Sequence, residues 1–240
     1  MSIITGAKNR LKRSVKALLG HPITDGLPEE LLRDPKWQIL NMIMRSIRSW
    51  ELPVGDYLEF GVYRGLSFMH AFELAERYDL GFMNFFGFDS FQGLPADIDA
   101  TEKKYDHFFE GQFACSEPEF RAILGQGGVD LGRVTLVPGF YDRVLTETLK
   151  ERLPIKRAAV VWIDCDLYAS TVPVLDFVTD YLTTGSFLVF DDWFSFGADP
   201  GAGEMRATIE WLERHPDITL VEYQKFHSAG ISFLVQRHDS

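Results

Sequence analysis

Glu59-Phe60-Gly61-Val62-Tyr63-Arg64-Gly65 is the stretch on which the reading of this chain turns. Residues 57–62 form a short apolar strand, and residues 66–77 show apolar positions at helical spacing. A strand that closes on glycine and turns at once into a helix is the opening βα unit of a doubly wound sheet. Gly61 permits the tight turn, and Gly65 lets the helix start close to a ligand. That helix start, including Ser67, offers free N–H groups and a partial positive charge. A dinucleotide site would need GxGxxG here. Tyr63 and Leu66 stand at its second and third glycines, so a pyrophosphate would be crowded and NAD is disfavoured. Glu59, two residues before Gly61, suits a cofactor with a charged ammonium, such as S-adenosylmethionine. Alone the motif is weak, because any glycine-containing βα turn looks similar.

Outward from this unit, strand and helix patterns alternate. Further strands are expected at 82–89, 134–137, 158–164 and 187–191, and helices at 117–124, 144–152, 171–182 and 204–214. Strands at 218–225 and 231–236 close the chain, joined by the turn His227-Ser228-Ala229-Gly230. Repeated βα units require a parallel sheet with helices on both faces. The count predicts a Rossmann-like α/β fold of seven strands with the last strand antiparallel. Such sheets bind ligands beyond the carboxyl ends of their strands, and between the second strand and the next helix runs a long loop at about 90–116. It holds Tyr105, His107, Phe108 and Phe109, which either touch substrate or pack the loop down.

Upstream, Trp37, Leu40, Ile43, Met44 and Ile47 mark a helix at 35–50 that covers an end or one face of the sheet. Residues 21–28 read as a loop. The chain therefore divides into an N-terminal segment, 1–50, and a main domain, 51–240. Five of the 24 basic residues and none of the 35 acids lie in the first twenty positions. With Leu11, Val15, Leu18 and Leu19 these could make a membrane-surface helix. A solvated terminus is the favoured reading.

Bulk properties narrow the classes. The chain has 240 residues and 46% hydrophobic content, enough for one large α/β domain. A net charge of −11 argues against general nucleic-acid binding, which needs a basic surface. Cys115 and Cys165 form no CxxC pair, so neither a zinc nor a redox motif is indicated, and a cytoplasmic protein with reduced thiols is expected. No apolar run is long enough to span a membrane.

The strand ends carry the chemistry. Asp89, followed by Ser90 and Phe91, ends the second strand, where an acid can accept both ribose hydroxyls. Asp164-Cys165-Asp166 and Asp191-Asp192 end two later apolar strands. If those strands are neighbours, four carboxylates converge, which is costly without compensation. A hard divalent cation such as Mg²⁺ resolves this, and it lowers the pKa of a coordinated hydroxyl. Helix capping explains one acid per strand end, not two.

Here the chain resembles the macrocin O-methyltransferase family of metal-dependent sugar O-methyltransferases. The resemblance covers roughly residues 55–194. It rests on Glu59 to Gly65, on Asp89-Ser90-Phe91-Gln92-Gly93-Leu94-Pro95, on Gly139-Phe140 with Leu145, on Asp164-Cys165-Asp166-Leu167-Tyr168-Ala169-Ser170-Thr171, and on Asp191-Asp192. It implies the seven-stranded methyltransferase sheet and S-adenosylmethionine as cofactor. It implies a cofactor loop of Glu59, Gly61, Tyr63, Arg64, Gly65 and Ser67, with Asp89, Ser90 and Phe91 at the ribose. It also implies Asp164, Asp191 and Asp192 as metal ligands, Asp166 as general base, the loop at about 90–116 as part of the cover over the site, and a sugar-like hydroxyl acceptor. Two departures stand out. The family's usual Gly-Gly is Gly65-Leu66, and Gly139-Phe140-Tyr141-Asp142 lacks one residue of the family spacing.

Two rival readings remain at this level. A nucleotide-sugar glycosyltransferase could use Asp164-Cys165-Asp166 on a metal, but leaves Glu59, Asp89 and the second acid pair unexplained. An inactive binding protein of the same fold has no need of intact acids at both strand ends. A homo-oligomer is compatible with each of these readings.

Overall fold

The sheet runs β3-β2-β1-β4-β5-β7-β6. This computed structural model describes residues 29–238 except 97 and 107, so the basic terminus and the loop at 21–28 lie outside the described residues. The strands are β1 (Asp56–Phe60), β2 (Phe85–Asp89), β3 (Val134–Pro138), β4 (Ala158–Ile163), β5 (Phe187–Phe190), β6 (Ile218–Phe226) and β7 (Gly230–Arg237). The first five are parallel. β7 slots between β5 and β6, antiparallel to both, as the closing hairpin requires. The order reverses between β1 and β4, so the ligand crevice opens there.

Alternation along each strand divides the core in two. Tyr57, Val160, Trp162, Phe187 and Val189 face α2 (Pro35–Ser49), α3 (Leu66–Arg77) and α4 (Glu117–Gln126). Leu58, Phe60, Val161, Ile163, Leu188 and Phe190 face α7 (Tyr168–Val178) and α8 (Gly203–Arg214). Trp162 and Trp211, one on each side, are fully buried, and each such side chain contributes on the order of 2–3 kcal/mol by leaving water.

The N-terminal helix forms where its periodicity puts it. Asp34 caps α2 by accepting the N–H groups of Lys36 and Trp37, and Pro35 occupies its first turn. His70 of α3 sits 3.1 Å from the other Asp34 oxygen and ties the start of α2 to the next helix. A short α1 (Glu29–Arg33), unassigned from sequence, precedes it.

Several boundaries differ from the expectation. The helix at 144–152 is two: α5 (Tyr141–Val144) and α6 (Glu147–Arg152), because the Thr146 hydroxyl accepts the Leu149 N–H and starts a new helix. The helix expected at 171–182 begins at Tyr168, where the buried Glu102 carboxylate accepts the Tyr168 N–H at 2.7 Å, and ends at Val178 before a 3₁₀ turn. β2 begins three residues late, with Phe82 56% exposed outside the sheet. Among the described residues, no helix is long and apolar enough to cross a membrane.

Candidate active site

Backbone register brings the two motifs together. The Gly61 N–H bonds the Phe88 carbonyl, the Asp164 N–H bonds Phe60, and the Asp191 N–H bonds Ile163. The ladder thus carries the first loop and both acid pairs to adjacent strand ends. Gly61 has φ +87, and a Cβ there would lie 1.9 Å from the Asp164 carbonyl oxygen, so the two halves of the site touch through glycine. At Gly65, φ +75, the neighbour that a Cβ would strike is Phe120 of α4 at 2.8 Å. What Gly65 approaches closely is therefore a helix, and it does not line the crevice.

A cavity of about 680 Å³ opens along these ends, lined by seven acidic and two basic side chains. That size suits a cofactor together with a small acceptor. Of the residues expected at the cofactor, Gly61, Tyr63, Asp89 and Ser90 line it. Asp89 accepts the N–H groups of Phe91 at 2.6 Å and Val62 at 2.8 Å, which offset part of the upward push that burial gives its pKa. Glu59 and Ser67 lie beneath the loop. Glu59 is fully buried, and its oxygens accept Tyr57 Oη at 2.5 Å and Ser67 Oγ at 2.7 Å. Burial pushes its pKa up to about 7, against these two hydrogen bonds. Arg64 is at the surface beside Glu119, and Phe91 packs on Phe120; neither lines the cavity.

All four acids of the two pairs line the cavity, and they differ sharply. Carboxylate oxygens of Asp164, Asp166 and Asp192 lie within 4.8 Å of one another. Burial and the neighbouring acids push the pKa values of Asp164 and Asp166 well up, and Asp192 follows. Asp191 is turned aside. Its Oδ2 meets Lys36 Nζ at 2.8 Å and its Oδ1 meets His227 Nε2 at 3.2 Å. Burial would raise its pKa, but His227 and Lys36 outweigh it and hold Asp191 low. His227 Nδ1 accepts the N–H groups of Ala229 and Gly230, so Nε2 carries the proton and donates to Asp191. Thus Asp164 and Asp192 belong both to the expected ligand set and to the converging set. Asp166, expected as base, converges with them, while Asp191, expected as ligand, faces Lys36 and His227.

Asp166 is 6% exposed, in the left-handed region at φ 60, a strain of about 1–2 kcal/mol that the surroundings enforce. Among the described residues its carboxyl has no cation and no N–H donor; its hydrogen-bond partner is Asp192. Three converging carboxylates, of which only Asp164 meets a cation among the described residues, fit a hard divalent cation. The acidic lining likewise fits the positive sulfonium and ammonium of S-adenosylmethionine.

Four residues that sequence reasoning missed build this site. Lys36 reaches in from α2. His227 comes from the β6–β7 turn. Glu204 of α8 is fully buried and accepts the Asp192 N–H at 3.0 Å and the Cys165 N–H at 3.4 Å, stapling the two acid loops. Glu102 ties the covering loop to the starts of α7 and α8 through Tyr168 and Gly203. That loop packs by Tyr105 and Phe108 on Phe196, and Phe108 also lines the cavity. Phe109 is exposed, and His107 lies outside the described residues. Both cysteines are buried and unpaired.

Residues 32–207 match the family model described as macrocin-O-methyltransferase. A Streptomyces olivaceus protein, 8-demethyl-8-(2,3-dimethoxy-alpha-L-rhamnosyl)-tetracenomycin-C 4'-O-methyltransferase, is 29% identical over 143 residues, 58% of this chain and 53% of that protein. Mycinamicin III 3''-O-methyltransferase of Micromonospora griseorubida is 27% identical over 167 residues, 67% of this chain and 61% of that protein. The matches thus span little more than half of these relatives. Among solved structures, the O-methyltransferase NovP superposes with a TM-score of 0.68 at 23% identity, over 85% of this chain and 80% of that one. The calicheamicin methyltransferase CalS11 gives 0.65 at 24%, over 95% and 91%. At these identities the structures speak for the fold, which is the seven-stranded methyltransferase sheet.

Proposed function

Because this chain belongs to the macrocin-O-methyltransferase family, we propose that it transfers a methyl group from S-adenosylmethionine to a hydroxyl of a sugar-like acceptor, assisted by Mg²⁺ or a similar divalent cation. The observation that carries this reading is one cavity shared by Gly61 and Asp89 on one side and by the paired acids of β4 and β5 on the other. The acceptor class comes from the relatives, whose names carry a rhamnosyl tetracenomycin and mycinamicin III.

Asp89 would accept the ribose hydroxyls, with Gly61, Tyr63 and Ser90 along the cofactor. Glu59 and Ser67 support that loop from below. Asp164 and Asp192, whose oxygens converge, would hold the cation, with Asp191 as third ligand only in exchange for its contact with Lys36; when bound, the cation supplies a Lewis acid that eases loss of a hydroxyl proton. Asp166 would receive that proton, being buried, without a cationic partner and at the cavity wall. S-adenosylmethionine, when bound, would supply the methyl group to the deprotonated hydroxyl oxygen, with S-adenosylhomocysteine as the other product. Phe108 and the covering loop exclude water from the reacting groups.

Thermal unfolding with S-adenosylhomocysteine, with and without Mg²⁺, tests the cofactor class. Ligand at about a hundred times its Kd adds roughly 2.7 kcal/mol, or about 5–10 °C for a chain of this size. No shift at millimolar ligand would overturn the reading.

A further inference from the structure

One cation enters the acid site from outside the βα units. Lys36 stands in the first turn of α2, a helix anchored by its Asp34 cap and by His70. From there Nζ lies 3.1 Å from Asp164 Oδ2 and 2.8 Å from Asp191 Oδ2, with the Trp162 ring centroid 5.8 Å away. His227 holds the remaining oxygen of Asp191 at 3.2 Å. Both oxygens of Asp191 and one of Asp164 are therefore engaged by the protein itself.

We infer that Lys36 is a built-in counter-ion that sets how tightly this site holds a divalent cation; the inference rests on the metal reading above. It is a positioning residue. Its ammonium competes for two of the three carboxylates assigned as ligands. Any divalent ion bound there lies a few ångströms from a like charge in a partly buried setting, where screening by solvent is weak. Without such a cation, the same ammonium keeps Asp164 and Asp191 from facing each other uncompensated. Lys36 thus assembles the acids and limits their affinity, so that the cation stays exchangeable.

The test uses the full chain, with Mn²⁺ as the probe in titration calorimetry and thermal unfolding. Lys36→Met should bind Mn²⁺ at least tenfold more tightly than wild type. In chelator it should melt below wild type, and saturating Mn²⁺ should close or reverse that gap. Lys36→Arg, which keeps the charge, should retain wild-type affinity. Should Lys36→Met not fold, Lys36→Gln removes the charge while keeping a donor and is expected to show the same tightening. Unchanged or weaker binding in the charge-removing variant, with a melting deficit that Mn²⁺ does not close, would mean that Lys36 merely props α2, and the inference falls. A wild-type chain that takes up no Mn²⁺ overturns the metal reading and this role with it.

Discussion

The two halves of the crevice both present carboxylates, and they treat them in opposite ways. At the ends of β1 and β2, each acid is met by hydrogen-bond donors: Tyr57 and Ser67 close in sequence for Glu59, and for Asp89 the N–H groups of Phe91 and, 27 positions earlier, of Val62. At the ends of β4 and β5, the acids face one another, and apart from the Ser195 hydroxyl on Asp192 the groups that compensate them come from afar. Lys36 is 128 positions from Asp164, and His227 is 36 from Asp191. In the first half Glu59 is sealed and holds its loop in shape, while Asp89 braces the same loop and still faces the cavity. The second is left short of positive charge at Asp164, Asp166 and Asp192. A strand-end acid is thus not informative by itself; the donors that meet it decide whether it braces the fold or waits for a ligand.

The largest effect should come from the second half. Asp166→Asn should lower methyl transfer to a glycoside acceptor by roughly 10³-fold, the range of a lost general base, while S-adenosylhomocysteine affinity stays within about twofold. Full activity in this variant would remove the base assignment and make Asp166 another bracing acid. The junction of the halves comes next. Gly61→Ala puts a methyl on the Asp164 carbonyl in a left-handed conformation, and should cost about 3 kcal/mol or more of unfolding free energy in urea. A near-wild-type midpoint would show that the halves are not in backbone contact.

The first half yields the smallest effect and a pH signature. Burial raises the Glu59 pKa from 4.5 to about 7. The folded state therefore holds a proton that the unfolded state has released, so this group favours folding below about pH 4.5, and that contribution fades as pH rises through 7. It should amount to about 3 kcal/mol at most. Unfolding midpoints measured from pH 5 to 8 should fall more steeply in wild type than in Glu59→Gln, which cannot titrate. Identical slopes would show that Glu59 is not the fully enclosed group that its hydrogen bonds to Tyr57 and Ser67 indicate.

Much of this was legible along the chain because its causes are local. The periodicity of residues 57–77, the apolar runs before Asp164 and Asp191, and the turn at 227–230 each depend on neighbours within a few positions. Even the antiparallel last strand follows from the short turn before it. The misses have two causes, distant partners and a masked local cap. α7 starts at Tyr168 because Glu102, 66 residues earlier, takes its N–H. The helix at 144–152 breaks because Thr146 prefers to cap, a local signal that a continuous apolar pattern masked. Lys36 carried no motif; only its position behind an Asp-Pro cap hinted that its direction would be constrained.

By itself, then, the sequence determined the order of elements, the fold class, the family, and the presence of acids at two strand ends. Those follow from short-range patterns of apolar spacing, glycine and turn residues. Only the tertiary structure decided which carboxylates are satisfied. It sealed Glu59 beneath its loop, turned Asp191 toward Lys36 and His227, and let Asp164, Asp166 and Asp192 converge. The physical reason is that desolvation and charge pairing are set by whatever the fold brings within a few ångströms, and the chain distance between partners places no limit on that.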